Sequence, residues 1–183
     1  MRPLRLALVA SELTPYAKTG GLADVLLGLG RWLSQPTADG AKPGHDVRLF
    51  VPYYKRIADS GVEVHDLKDG QKIDVRFPDR TISFGIKVAK LPDSDASVYF
   101  VDCPELYSRD GIYTEDGDEA LRFAMLSRAV LETCQRLHWA PDVIHCNDWH
   151  TALLPLYLRT VYTWDNLFAK TKTLLTIHNI GYQ

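Results

Sequence analysis

Short apolar runs alternate with longer amphipathic stretches along this chain. Several runs of six or seven residues are rich in apolar and β-branched side chains, as expected of strands buried inside a sheet. They are Leu4–Ala10, Asp46–Pro52, Ala96–Asp102, Pro141–Cys146 and Lys172–His178. Helix-like stretches lie between them, and strands that alternate with helices are typical of a parallel sheet. The pattern therefore predicts an α/β fold with a parallel sheet and helices.

The stretch after the first run predicts a helix that begins just beyond Gly20 and Gly21. Its apolar residues recur at spacings of three and four, which predicts one stripe that faces the core. The stripe consists of Leu22, Val25, Leu26, Leu29 and Leu33. Gly28 and Gly30 within this helix each weaken it by about 1 kcal/mol relative to alanine, which indicates close packing or a bend.

A second amphipathic helix is predicted from Asp118 to Leu137, with the Asp118 side chain capping its start. The apolar face of this helix carries Phe123, Leu126, Val130, Cys134 and Leu137. This position makes Cys134 a predicted core residue.

The middle of the chain follows a different pattern. Residues 62–67, 72–77 and 82–91 alternate polar and apolar side chains with turn residues between them. This alternation predicts antiparallel strands inserted into the lobe. Residues 35–44, with the sequence QPTADGAKPG, predict a polar and mobile loop.

Composition indicates the number of lobes and the kind of molecule that the protein binds. With 183 residues, 46% of them hydrophobic, the chain can bury one core, so one lobe is expected. The 21 basic and 23 acidic residues nearly cancel and form no long block of one sign, which favours neither nucleic acid nor a membrane surface as partner. Cys103, Cys134 and Cys146 are widely spaced, and the N-terminal apolar run ends at Glu12, so we expect a reduced, cytoplasmic protein without a membrane span.

The segment PYAKTGGLADVLLGLG, residues 15–30, raises the first chemical question. Lys18 and two glycines precede a helix, and the free N–H groups at a helix start attract anions such as phosphate. The segment is not a P-loop, because Glu12 and Ala17 stand where that motif requires glycines. Two interpretations stay open on spacing alone: an anion site, or a tight helix entry with a solvated Lys18.

Other polar residues follow the predicted strands in the same way. If the sheet is parallel, ligands bind beyond the carboxyl ends of its strands. The residues at those ends are Lys18, Gly20 and Gly21 after the first strand, Asn147, Asp148, Trp149 and His150 after the fourth, and His178 and Asn179 after the fifth. We expect them to meet at one rim.

Each of these residues also has a structural interpretation. Asn147 or Asp148 can cap the next helix, Trp149 can belong to the core, and His145 is typical of a hydrogen-bonded core histidine. His145, Cys146 and His150 lack the paired spacing of metal ligands, so no metal site is predicted. Two D-x-D triplets, residues 93–95 and 116–118, are interpreted as solvated turn acids, and no nucleophile elbow is present.

Five segments together resemble one family along nearly the whole chain. They are KTGGLADV at residues 18–25, LYSRDGIY at 106–113, LRFAMLSRAVLE at 121–132, DVIHCNDWHT at 142–151 and TIHNIGYQ at 176–183. In this order they resemble the first lobe of bacterial glycogen synthases and plant-type starch synthases. The resemblance implies the N-terminal lobe of a GT-B glycosyltransferase, with a Rossmann-like sheet.

The resemblance also implies an activity. Enzymes of this kind transfer glucose from ADP-glucose, or sometimes UDP-glucose, to the non-reducing end of an α-1,4-glucan with retention of configuration, and they need no metal or other cofactor. Their second lobe supplies most nucleotide contacts and lies beyond the counterpart of residue 183. We therefore expect residues 1–183 to be a truncated first lobe that is catalytically inert alone and lacks a covering helix after its last strand.

Roles for individual residues follow from the same resemblance. Lys18 and the backbone of Gly20 and Gly21 are expected to face the donor diphosphate, and His178 is expected to lie nearest the glucosyl carbon as the catalytic residue. Asn179 is expected to lie beside His178. The expected sugar-side and acceptor-side residues are Asp24, Tyr113 and Asp148, with His150 supporting them. Asp118 is left out, because Glu119 replaces the asparagine that often follows this acid in the family.

Two rival functions stay open at this stage. One is a glucan-binding or nucleotide-binding module that has lost the reaction, and the other is a different two-lobed glucosyltransferase such as a sucrose synthase. The joint presence of Lys18, Asp148 and His178 favours the enzyme, since a glucan-binding module has no need of a lysine for a diphosphate.

Overall fold

The computed structural model describes residues 2–38 and 40–182. Asp39, within the predicted loop, and Gln183, the last residue of the fifth segment, lie outside the described residues. The strands are β1 (Arg5–Val9), β2 (Asp46–Pro52), β3 (His65–Asp66), β4 (Ile73–Arg76), β5 (Thr81–Lys90), β6 (Ser97–Asp102), β7 (Val143–Asn147) and β8 (Lys172–Thr176). The helices are α1 (Leu22–Ser34), α2 (Lys55–Asp59), α3 (Pro104–Tyr107), α4 (Glu119–Arg136) and α5 (Leu153–Thr160), with short 3-10 turns at Trp149–Thr151, Asn166–Phe168 and Ile180–Tyr182.

These strands form one mixed sheet in the order β3-β5-β6-β2-β1-β7-β8, with β4 paired to β5. The pairs β6-β2, β2-β1, β1-β7 and β7-β8 are parallel, whereas β5 runs antiparallel to β6, β3 and β4. The predicted parallel α/β sheet with an inserted antiparallel segment is therefore confirmed.

The core lies on both faces of the central strands. Side chains of β1 and β7, including Leu8, Val9 and Ile144, are almost completely buried. Helix α4 covers one face and buries eleven of its residues, among them Cys134, whose predicted place in the core is confirmed. Burial raises the pKa of the Cys134 thiol to about 12.

Helix α1 corrects the predicted apolar stripe. Its buried residues are Ala23, Leu26, Gly30 and Ser34, and Val25 is 41% exposed. The prediction that Val25 faces the core is wrong, because the helix turns its small residues toward the sheet, where Gly30 lies against the side chains of Leu49 and Leu91.

Asp118 stands at the start of α4 as predicted, but its side chain does not cap the helix. Asp118 occupies the N-cap position, but its side chain makes no cap hydrogen bond. It accepts two hydrogen bonds from the Arg109 guanidinium instead, at 2.7 and 2.5 Å, and this pairing lowers the Asp118 pKa. The Asp118 side chain therefore forms an ion pair with Arg109 in the preceding loop, in place of the predicted helix cap.

Strand β8 lies at one end of the strand order and carries exposed apolar side chains. Leu174, Leu175 and Ile177 are all at least 42% exposed on or just after it. No helix within the described residues is long and apolar enough to cross a membrane.

Two glycines of α1 provide a test of this packing. A Cβ at Gly28 would meet no atom within 4 Å, whereas a Cβ at Gly30 would lie 2.7 Å from Leu91 Cδ2 and 3.2 Å from Leu49 Cδ2. We expect Gly28→Ala to raise the free energy of unfolding by about 1 kcal/mol, through helix propensity alone. Gly30→Ala should be less stable than Gly28→Ala by about 1–3 kcal/mol, because the added methyl overpacks buried leucines.

Denaturant unfolding of the two variants measures this difference. Equal stabilisation by both substitutions would contradict the close approach of α1 to the sheet at Gly30.

Candidate functional site

A pocket of about 750 Å³ opens at the carboxyl ends of β1, β7 and β8. Its lining residues are Glu12, Thr19, Gly20, Gly21, Leu22, Val25, Tyr113, Glu119, Asp148, Trp149, His150, His178 and Asn179. All predicted site residues except Lys18 and Asp24 are among them. The exposed Val25 side chain thus forms part of the pocket wall and does not face the core.

Strand order explains why these distant segments meet. β1, β7 and β8 are adjacent and parallel, so the segments that leave their carboxyl ends share one edge of the sheet. Residues 18–21, here called the glycine loop, lie between β1 and α1. Residues 148–150 follow β7, and residues 178–179 follow β8.

Lys18 and Asp24 lie beside the pocket and bind each other. Lys18 Nζ is 2.6 Å from Asp24 Oδ2, and both side chains are about half exposed. The second Asp24 oxygen accepts a hydrogen bond from the Thr14 hydroxyl at 2.8 Å. Hydrogen bonds from Lys18 and then Thr14 lower the Asp24 pKa. Such an exposed ion pair is weak, so Lys18 can leave Asp24 for a ligand at small cost.

Glu12 is a site residue that the sequence interpretation missed. Its side chain is buried and accepts hydrogen bonds from Thr19 N at 2.5 Å, Thr19 Oγ1 at 2.7 Å, Gly20 N at 3.1 Å and the Tyr113 hydroxyl at 2.6 Å. Burial alone would raise the Glu12 pKa, but hydrogen bonds from Tyr113, Thr19 and Gly20 outweigh it and lower the pKa. The sequence feature that could have identified Glu12 is its position, after a buried strand and before a glycine loop.

The Gly20 N–H consequently points toward Glu12. The sequence interpretation placed this group toward a phosphate, and in the structure an internal carboxylate occupies it instead. A carboxylate held by loop amides is the same type of contact as a bound anion.

Tyr113 and His150 form the aromatic floor of the pocket. Their rings stack with centroids 4.9 Å apart and 21° between the planes, and Phe123 and Trp149 also contact the His150 ring. Burial, followed by the hydrogen bond to Glu12, raises the Tyr113 pKa well above its ordinary value. Burial lowers the His150 pKa to about 4, so the imidazole is neutral near pH 7.

Asp148 adopts an unusual backbone conformation at the end of β7. Its φ of 65° and ψ of 179° lie in a region that L-residues rarely adopt, at a typical cost of about 1–3 kcal/mol. The turn is held by the Asp148 N–H, which donates to Thr176 O at 2.8 Å. The carboxylate accepts from Trp149 N at 3.1 Å, so the capping interpretation is correct for a 3-10 turn, and the same side chain lines the pocket.

His178 is held by a buried amide. Asn147 donates from Nδ2 to Val9 O at 3.1 Å and to His145 O at 3.2 Å, which leaves its Oδ1 as an acceptor. His178 Nε2 lies 3.0 Å from this oxygen and therefore donates to it. Nδ1 is therefore the ring nitrogen that is left to contact a ligand hydroxyl.

His145 is hydrogen-bonded, as the structural interpretation expected, but it is half-buried rather than part of the core. Its Nε2 lies 2.8 Å from Thr176 Oγ1, and it does not line the pocket. Burial and then the nearby His178 lower the His145 pKa.

The His, Cys, Asp and Glu side chains of the described residues are not grouped as metal ligands would be. Within residues 2–38 and 40–182, no three His, Cys, Asp or Glu side chains are grouped to hold an ion. Two acids of the second D-x-D triplet, Asp116 and Asp118, are bound by Arg109. The expectation that the protein needs no metal stays a prediction.

Comparison with known proteins decides the family. The sequence model of the starch synthase catalytic domain matches residues 5–183. The chain belongs to the starch synthase catalytic domain family. This result confirms the resemblance carried by the five sequence segments.

Members of the family match nearly the whole chain. A glycogen synthase of Desulforudis audaxviator is 42% identical over 100% of this chain and 36% of its own length, and one of Photobacterium profundum is 39% identical over 99% and 34%. The solved catalytic domain of starch synthase IV from Arabidopsis thaliana, bound to ADP and acarbose, aligns with a TM-score of 0.82 and 28% identity, over 99% of this chain and 35% of that one. The chain spans about a third of the length of these relatives.

The neutral state of His150 is directly testable. Because burial holds its pKa at about 4, below the ordinary 6.5, the unfolded chain binds this proton more readily. The contribution of His150 to stability therefore falls as pH drops from 6.5 toward 4. We expect ¹⁵N-detected NMR of labelled histidine to show His150 neutral down to about pH 5.

His150→Gln assigns the resonance. A titration midpoint near the ordinary value of 6.5 would contradict the buried stack of His150 on Tyr113.

Proposed function

We propose that this chain is the N-terminal lobe of a glycogen synthase that transfers glucose from ADP-glucose to the non-reducing end of an α-1,4-glucan, with retention of configuration. The names of the bacterial relatives support the reaction, and the ADP and acarbose bound to the plant relative support both substrates. One observation carries the proposal: residues 19–21 of the glycine loop, Asp148 and His178 line one pocket.

The proposal divides the enzyme into two lobes. Because the chain spans about a third of its relatives, we assign residues 1–183 to the first lobe and most of the nucleotide contacts to a C-terminal lobe. The first lobe alone should then be inactive, since it cannot enclose the donor. No metal or other cofactor enters the proposed reaction.

Donor binding in this proposal uses the glycine loop. The Gly20 N–H already donates to Glu12, so the Gly21 N–H and the Lys18 ammonium are left to meet the diphosphate. Negative charge grows on this leaving group as the glucosyl bond breaks. A fixed N–H and a cation aimed at that charge stabilise the transition state more than the bound substrate.

His178 holds the transferred glucose. Asn147 fixes the ring from the Nε2 side, so Nδ1 is the ring nitrogen proposed to contact a sugar hydroxyl. The His178 backbone carbonyl is proposed to lie near the glucosyl carbon, where positive charge develops, with Asn179 beside it. This role makes His178 the proposed catalytic residue.

The acceptor side uses the remaining polar groups of the pocket, with Asp24 at its margin. Asp148 and Tyr113 offer a carboxylate and a phenol, which suit sugar hydroxyls because each hydroxyl both donates and accepts. His150 supports the Tyr113 ring by stacking on it. The glucan is thus proposed to lie against a neutral aromatic floor with a carboxylate at its edge.

A cytoplasmic location is part of the proposal. Cys103, Cys134 and Cys146 are free, buried thiols, which supports a reducing compartment.

The test is incorporation of labelled glucose from ADP-glucose into glycogen by the full-length enzyme. Lys18→Ala should lower kcat about 10- to 100-fold, because a charge that stabilises the leaving group is lost. His178→Ala should lower kcat by about 100-fold or more, because it removes a contact to the transferred glucose.

Two variants serve as controls. Lys87→Ala removes another lysine paired with an aspartate, Asp66 at 2.7 Å, but on β5 and outside the pocket. His45→Ala removes a histidine that accepts from Leu4 N at the amino end of the sheet. Both should keep kcat within about twofold. Unimpaired turnover of Lys18→Ala would contradict the proposed diphosphate position, and absence of glucose transfer by the full-length protein would contradict the function.

A further inference from the structure

We propose that Glu12 is a positioning residue that holds the glycine loop and Tyr113 together as one unit. The names donor side, for the glycine loop, and acceptor side, for Tyr113, rest on the function proposed above. The coupling itself rests on hydrogen bonds and does not depend on the identity of the substrate.

Each of the two carboxylate oxygens accepts two hydrogen bonds, but from different kinds of donor. Oε2 accepts from the backbone N–H groups of Thr19 and Gly20, at 2.5 and 3.1 Å. Oε1 accepts from two hydroxyls, Thr19 Oγ1 at 2.7 Å and Tyr113 OH at 2.6 Å. The same oxygen therefore touches both the loop and the tyrosine, although these residues are 94 positions apart in the sequence.

The burial of Glu12 makes these contacts obligatory. Its side chain is 3% exposed, and its four partners are neutral donors rather than a lysine or arginine. So little of Glu12 is exposed to the pocket that water is a poor substitute for a lost donor, and the remaining contacts should rearrange. Loss of the Tyr113 hydroxyl should thus weaken the hydrogen bonds that hold the glycine loop.

The network also fixes the direction of the hydrogen bonds at the Tyr113 hydroxyl, that is, which partner donates and which accepts. A phenol has one proton, and Glu12 accepts it. The Ser11 hydroxyl, 2.9 Å from the phenol oxygen, must then donate to it. Tyr113 consequently offers an acceptor to the pocket, and a glucan hydroxyl bound there has to donate.

Glutamine at position 12 would reverse the direction of the hydrogen bond to Tyr113 without breaking the link. Its amide oxygen has to face the two backbone N–H groups, because these groups cannot accept. Its NH2 then faces the hydroxyls of Thr19 and Tyr113, which can rotate to accept. The Tyr113 proton is no longer accepted at position 12, so it turns to the Ser11 hydroxyl or to the pocket.

Hydrogen–deuterium exchange of the full-length protein tests the coupling without any substrate. Tyr113→Phe keeps the ring stack on His150 and removes only the hydroxyl. We expect it to raise the exchange rate of the Thr19 and Gly20 amides by about fivefold or more, because Glu12 loses a partner and its remaining contacts loosen.

Tyr162→Phe is the matched control. The Tyr162 hydroxyl also donates to a glutamate, Glu132, at 2.6 Å, but at the contact between α4 and the residues after α5. This variant should change the exchange of the glycine loop by less than about twofold. Equal protection of the loop amides in Tyr113→Phe and Tyr162→Phe would overturn the coupling.

Glu12→Gln supplies a kinetic readout that a purely structural role would not move. The KM for the glucan should rise about fivefold, because the Tyr113 hydroxyl is no longer held as an acceptor toward the glucan, and the KM for ADP-glucose should stay within about twofold. Equal rises in both KM values would contradict the assigned direction of these hydrogen bonds. If the exchange result holds and no glucose is transferred, the proposed function fails and the coupling stands.

Discussion

The parallel pairing of β1, β7 and β8 is the constraint on which the rest of this structure depends. Parallel neighbours place all their carboxyl ends at one edge, so segments from both ends of the chain leave the sheet side by side. Strand β7 is central to this arrangement, because the Asp148 N–H donates to Thr176 O and Asn147 contacts both Val9 O and His178. One short segment thus joins the N-terminal and C-terminal parts of the pocket.

Hydrogen bonds from neutral partners, rather than buried ion pairs, hold the charged and polar groups of this pocket. Glu12 binds hydroxyls and amides, Asp148 binds a backbone N–H, and His178 binds an amide oxygen. The ion pair of Lys18 with Asp24 stays at the exposed margin, where it is easily exchanged for a ligand. The interior of the site is therefore fixed in position, and the proposed contact of Lys18 with a diphosphate requires only that this exposed ion pair opens.

Much of this arrangement could be predicted from the sequence, because it follows from strand order. The apolar runs place β1, β7 and β8, and the polar residues that follow them had to share a rim once the sheet was parallel. The orientation of α1 could not be predicted in this way. Val25 fits an apolar stripe equally well whether the helix turns it to the core or to a pocket, and the close approach at Gly30 decides between them.

The hydrogen-bond partners of individual side chains could not be predicted from the sequence either. Asp118 stands at a helix start, and only the fold brings Arg109 to it. Glu12 marks the end of an apolar run, and its link to Tyr113 depends on how residues 108–118 pack over the sheet. Side-chain partners of this kind are set by tertiary packing, which local patterns do not encode.

A crystal structure of the full-length enzyme with ADP and a maltooligosaccharide tests the central claim most directly. The account predicts a phosphate oxygen within about 3 Å of the Gly21 N–H or Lys18 Nζ, and a glucan hydroxyl that donates to Tyr113 in the same pocket. Nucleotide phosphates bound away from the glycine loop would contradict it.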